Sequence, residues 1–370
     1  MWPPWKDDMT THALFPLPRR LLHQLSATAL WLLAAGHLLA LMSLLMILLM
    51  YAPARAETAC HGKNLLKGLQ RDDPQAYAAV MAEGRDVVNG QGLFWKVERE
   101  GIAPSYLLGT MHVTDPRVLK MPPGAAEAHA AARVIVIESD EILDERRAAA
   151  AILARPELTM FTDGRSIENL LPPEDLVVLK EGLEERGLVL SAVSRMKPWM
   201  LAGFVATSAC ESARKAGGAI FLDKKIALDA MASGKPVKGL ETLQEQLAAM
   251  AGMPIDFHLQ ALVETVRLGG RMDDVVETTT ELYLAEETGV TIPALKALTP
   301  TLTEGDESAY AAFESAVISD RNHRMAERAA PILAEGGAFV AIGALHLPGE
   351  DGLVELLRKQ GFTVSRSRKH

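Results

Sequence analysis

The sequence predicts an α/β fold, a mixed sheet with flanking helices and a largely helical insertion, on three observations. Short apolar runs of strand length, such as RVIVIE (133–138) and AFVAIGA (338–344), are separated by stretches with helical periodicity. The chain has 370 residues, 49% hydrophobic and 23% charged, enough apolar content to bury a core around such a sheet. Beyond residue 57 there is no second long apolar run, no repeat of fixed period and no Ser/Gly-rich linker, so one domain is expected over 57–370.

The N-terminal region reads as an export segment. Arg19 and Arg20 precede an apolar stretch running to Ala52, and Ala54-Arg55-Ala56 before Glu57 has the small-x-small form of a cleavage site. Residues 1–56 are therefore expected to be a signal peptide, or an N-terminal anchor if uncleaved, since the stretch is long enough to cross roughly 30 Å of hydrocarbon. Glu57, three positions before Cys60, argues against lipid attachment there. The folded part is then expected outside the cytoplasm, periplasmic or extracellular, where a bridge between the chain's two cysteines, Cys60 and Cys210, is chemically allowed.

LFWKVERE (93–100) and SYLLGT (105–110) flank the turn residues Gly101 and Pro104 and predict a hairpin. A helix is expected after Pro122-Pro123, leading into RVIVIE. The periodic LDKKIALDAMASG leads likewise into PVKGLE (236–241), and RNHRMAERAAPILAEG into AFVAIGA. A last helix, EDGLVELLRKQG, precedes FTVS (362–365). Between 141 and 330 the pattern is mainly helical apart from PVKGLE. His129, His258 and His323 fall within helical patterns and are expected at the surface.

Polar residues recur where the apolar runs stop. YLLGTMH carries Gly109 and His112, FVAIGALH carries Gly343 and His346, and the glycines are read as letting the backbone turn sharply over the sheet edge. RVIVIE and PVKGLE end in Glu138 and Glu241. Open α/β sheets place ligands at this carboxyl edge, and imidazole with carboxylate suits Zn²⁺, Mn²⁺ or Co²⁺ while leaving a coordination position for water. Taken singly, either histidine reads sooner as a loop residue bonded to backbone than as a ligand, and Glu138 reads equally as a buried charge paired with an arginine or as a catalytic group.

YLLGTMHVTDPRV, VIVIESD, Lys197-Pro198-Trp199, FLDKKIALDAMASGKPVKGLETLQEQL, ISDRNHRMAERAAPIL and FVAIGALHLPGEDGLVELLRKQGFTV, in that order from about 91 to 366, resemble the TraB/GumN (TIKI-like) family, its GumN branch most closely. The resemblance implies a fold like the erythromycin-esterase/ChaN-like group and, from the TIKI branch, metal-dependent peptidase activity. It also implies an active centre built on Gly109/His112, Gly343/His346 and Glu138, with Asp223, Glu241, Asp320, Arg321 and Asn322 as further elements. On that reading His112, His346 and Glu138 hold a divalent ion (Mn, Co or Zn), and Glu138, Glu241 or Asp223 accepts a proton. Arg321 stabilises an oxyanion, or pairs at the helix surface with Asp320 or Glu327, and Asn322 orients substrate.

The function expected is an exported metal-dependent hydrolase, peptidase-like; the alternative is a non-catalytic exported ligand-binding or cell-envelope accessory protein. The partner is a peptide or small molecule. Net charge −9 gives no field for nucleic acid, and the membrane is met only through the N-terminal segment. G-x-S-x-G, H-E-x-x-H and G-x-x-x-x-G-K-[ST] are absent from the sequence.

Overall fold

The computed structural model describes residues 62–298 and 307–367, all within one compact unit, Thr58–His370. The export segment, the 56/57 boundary and Cys60 lie outside the described residues. Six strands form one sheet: β1 (Phe94–Glu98), β2 (Ser105–Thr110), β3 (Val134–Ile137), β4 (Val237–Gly239), β5 (Ala338–Gly343) and β6 (Thr363–Arg366). Their order is β4-β3-β5-β2-β1-β6. β4, β3, β5 and β2 run parallel, and β1 is antiparallel to both its neighbours. The fold is therefore α/β with a mixed sheet, and each apolar run supplies one strand.

The central parallel strands β3 and β5 are apolar throughout because helices cover both faces. Val134, Ile135, Val136 and Ile137 have no solvent exposure. Ile135 and Ile137 pack with Leu108, Phe339 and Ala341 under helices α1 (Ala125–Ala131) and α2 (Leu222–Ala232). On the opposite face Val134, Val136, Val340 and Ile342 meet Met325, Ala326, Ala329 and Leu333 of α3 (Asp320–Ala334) and Val354 and Leu357 of α4 (Leu353–Lys359). The alternation within a strand is the two-residue period of the pleat sorted between two cores. Each fully buried aliphatic side chain contributes about 1.5–3 kcal/mol.

Among the described residues between 140 and 334, β4 is the only strand. Part of this helical stretch has its own core, built from Phe161, Leu179, Leu183, Leu201, Val205, Leu259 and Leu262. Two expectations are corrected here. His129 and His258 are buried: His129 Nε2 meets the Ile226 carbonyl at 3.1 Å with its ring against the edge of Phe339, and His258 Nε2 meets the Met250 carbonyl at 2.8 Å. Both lie in helices, as the periodicity predicts, but a backbone acceptor offered by a neighbouring element makes an inward imidazole tolerable. His323 is half exposed. Cys210 is buried on the helix Ala209–Ala216 and holds no free thiol.

Candidate functional site

The carboxyl ends of β2, β3, β4 and β5 deliver four of the singled-out residues to one edge: His112, Glu138, Glu241 and His346. β5 inserts between β2 and β3, so a strand from near the end of the chain stands between two from its first half. The helices add Asp223 in the first turn of α2, and Arg321 and Asn322 in the first turn of α3. A π-helical turn, Ser315–Ser319, runs directly into α3. Such a widened turn resets the phase of the residues on either side of it.

Glu138 is the hub. Its Oε1 accepts the Gly343 N–H at 2.7 Å, and its Oε2 accepts Arg321 Nη2 at 2.8 Å and Gln246 Nε2 at 3.2 Å. Arg321 also donates through Nε and Nη2 to Glu241 Oε2 at 2.9 and 2.8 Å, and Arg324 donates to Glu241 Oε1 at 2.9 Å. Burial works against charge on Glu138, but His346, His112, Arg321 and the Gly343 N–H outweigh it and hold the carboxyl at about 2.

His346 is buried. Its Nδ1 lies 2.7 Å from Asn322 Oδ1, and Asn322 Nδ2 donates to the Asp351 carbonyl at 2.8 Å. With the amide nitrogen committed to a carbonyl, Asn322 offers its oxygen to the ring. Nδ1 therefore carries the proton and Nε2 the lone pair, which faces Glu138 Oε1 at 3.9 Å. Burial pushes the ring's pKa down to about 4, despite the opposing pull of Glu138. His112 differs: its side chain is 56% exposed, packs on Phe221 and places Nε2 3.5 Å from Asp223 Oδ1. Desolvation opposes its charge, but the Asp223 hydrogen bond and the charges of Asp223 and Glu138 prevail and lift its pKa to about 9. Asp223 Oδ1 also accepts the Thr110 hydroxyl at 2.7 Å, while its buried Oδ2 has no partner.

The glycines act through close approach, a correction to the turn reading. Gly109 lies within β2, opposite Ile342, where a Cβ would come within 2.8 Å of Leu347 Cδ1 and 3.1 Å of the Ala344 Cα. At Gly343 a Cβ would stand 3.0 Å from Glu138 Oε1 and 3.4 Å from His346 Cδ2. Gly343→Ala should therefore displace the carboxylate, costing about 1–2 kcal/mol in thermal unfolding and at least tenfold in turnover.

A divalent ion does not fit the residues as they stand. Both Glu138 oxygens are engaged by Gly343, Arg321 and Gln246, and His112 turns to Asp223. Among the described residues no group of three or more His, Cys, Asp or Glu is arranged to hold a metal. The expected ligand set of His112, His346 and Glu138 is thus not assembled for an ion, because a guanidinium already satisfies the carboxylate. Two further expectations change. Arg321 points inward to Glu138 and Glu241, away from a surface pairing with Asp320 or Glu327. Asn322 is taken up by His346 and the Asp351 carbonyl, so neither end is free for substrate. Asp320 is exposed.

Thr110, Phe221, Gln246 and Arg324 complete the surroundings and escaped the sequence reading. Arg324 had a signal, since it follows Arg321 by three residues on one helix. Gln246 had none beyond its place in the helix Leu243–Ala251, whose Thr242/Glu245 capping box fixes the start.

An open, largely parallel sheet with two histidines of opposite character and a clamped carboxylate pair at its carboxyl edge defines an α/β protein with a polar, ligand-type site at that edge. The TraB/PrgY/gumN family model matches residues 93–366, and the chain belongs to that family. Metalloprotease TIKI1 of Danio rerio is 26% identical over 319 residues, 74% of this chain and 62% of the relative. The Metalloprotease TIKI homolog of Nematostella vectensis is 26% identical over 324 residues, 75% and 67%. Metalloprotease TIKI1 of Homo sapiens is 24% identical over 320 residues, 74% and 61%. The chain thus spans less than two thirds of the length of either TIKI1 relative. No solved structure matches it.

Proposed function

We propose that the protein is a hydrolase acting on peptide bonds by acid–base chemistry at the carboxyl edge of its sheet. The observation that carries this is the chain of contacts from Asn322 through His346 to Glu138 and Arg321, which leaves His346 Nε2 with a free lone pair. In this reading His346 accepts the proton of an attacking water. Asn322 holds its tautomer, and ionised Glu138 stabilises the imidazolium that results. His112, paired with Asp223 and open to solvent, is the cation that steadies the developing oxyanion and returns a proton to the leaving amine. Environments that push two imidazoles apart in pKa separate base from acid.

The peptide substrate class comes from the relatives' names, as does a divalent metal. For this chain, a metal at Glu138 would require Arg321 to leave it. Likeness to the erythromycin-esterase/ChaN-like group is part of the same proposal. So is action outside the cytoplasm, which the Ala54-Arg55-Ala56 segment supports. Among the described residues no helix is long and apolar enough to cross a membrane.

The test is hydrolysis of a mixed peptide library by wild type, His112→Ala, His346→Ala and Glu138→Gln, each before and after chelation. Losses of roughly 10²–10⁴-fold in the three variants are expected. Unchanged turnover in all three would sink the assignment, and a wild type that binds peptides without cleaving them would favour a binding protein. Activity lost on chelation and restored by Mn²⁺, Co²⁺ or Zn²⁺ would show that Arg321 moves aside in the working protein.

The pH profile of kcat/KM is a separate check. His346 must be unprotonated and His112 protonated, so the rate should rise with pH through about 4, a limb belonging to the His346–Glu138 pair, and fall through about 9. His112→Ala should remove the alkaline limb alone.

A further inference from the structure

Among the described residues the sheet ends at β4, which pairs with β3 alone. The Ile135 N–H donates to the Pro236 carbonyl and the Leu240 N–H to the Ile137 carbonyl, while Ile135 and Ile137 stand opposite Val237 and Gly239. In a parallel ladder this pattern sends the bonds of Pro236, Lys238 and Leu240 inward. It leaves the N–H and C=O of Val237 and of Gly239 on the outer side. No bond to these four groups is found among the described residues. Lys238 and Gly239 are exposed.

A cleft of about 820 Å³ opens beside this strand. Val237 lines it from β4, Lys224 and Met231 from α2, and Asp140, Leu143 and Arg147 from the segment after β3. Met231 is 53% exposed, an apolar side chain facing solvent. The cleft adjoins the candidate site through the chain itself: Asp140 is two residues beyond Glu138, and Lys224 directly follows Asp223. The Leu240 and Glu241 N–H groups both donate to the Glu138 carbonyl, at 3.0 and 2.7 Å, so the end of β4 lies against the hub of the site.

We propose that this edge and cleft are the substrate-binding subsite, taking an extended peptide as an added strand on β4. The proposal rests on the hydrolase reading for its substrate class. Unpaired edge groups at every second residue match the alternation of an extended backbone, which supplies affinity through main-chain bonds whatever its sequence. The mixed charge of Lys224, Arg147 and Asp140 around Met231 and Leu143 favours apolar side chains flanked by polar ones. Without such a ligand, β4 is an edge kept from aggregation by its shortness and its lysine.

Hydrogen exchange of the wild-type protein, with and without a mixed library of unstructured peptides, decides between them, alongside the hydrolysis assay. The Val237 and Gly239 amides should exchange fast in the free protein and slow at least tenfold with peptide. Val237→Pro removes one outward N–H without touching the ladder, and it should lower kcat/KM about tenfold through KM. Peptides N-methylated at alternate nitrogens should bind about tenfold more weakly in one register only. Peptides cleaved with no protection at 237–239 and no effect of Val237→Pro would overturn the subsite and leave the hydrolase standing. Protection without cleavage would support the subsite and overturn the hydrolase. Neither protection nor cleavage would overturn both.

Discussion

Arg321→Met should cost about 3–5 kcal/mol in urea unfolding at neutral pH and bring peptide turnover to background. The guanidinium is the shared counter-ion of two carboxylates that have almost no access to water: Glu241's side chain is 0% exposed, Glu138's 9% and Arg321's own 11%. Removing it leaves Arg324 on Glu241 but nothing cationic bonded to Glu138 Oε2, with only Gln246 still in reach. Desolvation, now unopposed by a bonded cation, would drive that carboxyl toward its neutral form and strip His346 of the negative charge beside it. The double variant Arg321→Met/Glu241→Gln should recover part of the stability without recovering turnover. That split separates the structural role of the ion pair from its electrostatic one. A loss below about 1 kcal/mol in the single variant would mean that the pair is far better solvated than its burial indicates.

His346→Ala should reduce turnover by roughly 10²–10⁴-fold, with a much smaller stability change than Arg321→Met. The ring makes one side-chain hydrogen bond, to Asn322, and the vacated space borders polar groups that water can satisfy. Asn322→Leu is the more searching variant because it leaves His346 in place. Without the Oδ1 acceptor, nothing selects the Nδ1–H tautomer, so Nε2 carries the lone pair only part of the time. The expected result is a fall in kcat at nearly constant KM, since both ends of the Asn322 amide are taken up by His346 and the Asp351 carbonyl. A fall in KM-governed binding alone would instead make Asn322 a substrate contact.

Strand positions were legible because a strand buried on both faces must be apolar throughout, and VIVI and AFVAIG have few other uses. The paired G-x-x-H spacings marked the sheet edge for the same reason: each histidine is the first titratable group after such a run. Partnerships across the edge were not legible. Asp223 lies 111 positions beyond His112, and only the packing of α2 on the sheet brings them together. Arg321 and Asn322 could have been placed inward, since they precede Met325 and Ala326 by four residues, one helical turn, and those two are core residues. The π-helical turn before α3 has no comparable sequence signal, and neither does the engagement of Glu138 by an arginine. That last contact decides against a ready-made ion site, which donor types alone had suggested.

The position of β5 has a consequence for biogenesis. Strands β2 and β3 do not touch; each pairs with β5, which is contributed by residues 338–343 near the end of the chain. A nascent polypeptide lacking those residues has two unjoined sheet fragments, one carrying His112 and the other Glu138 and Glu241, with neither His346 nor the Gly343 amide to link them. Assembly must wait for almost the whole length to emerge from the ribosome. No shortened form ending before residue 338 should bring His112, Glu138 and His346 together, so the edge described here, and the hydrolysis proposed for it, can exist only once synthesis is nearly complete.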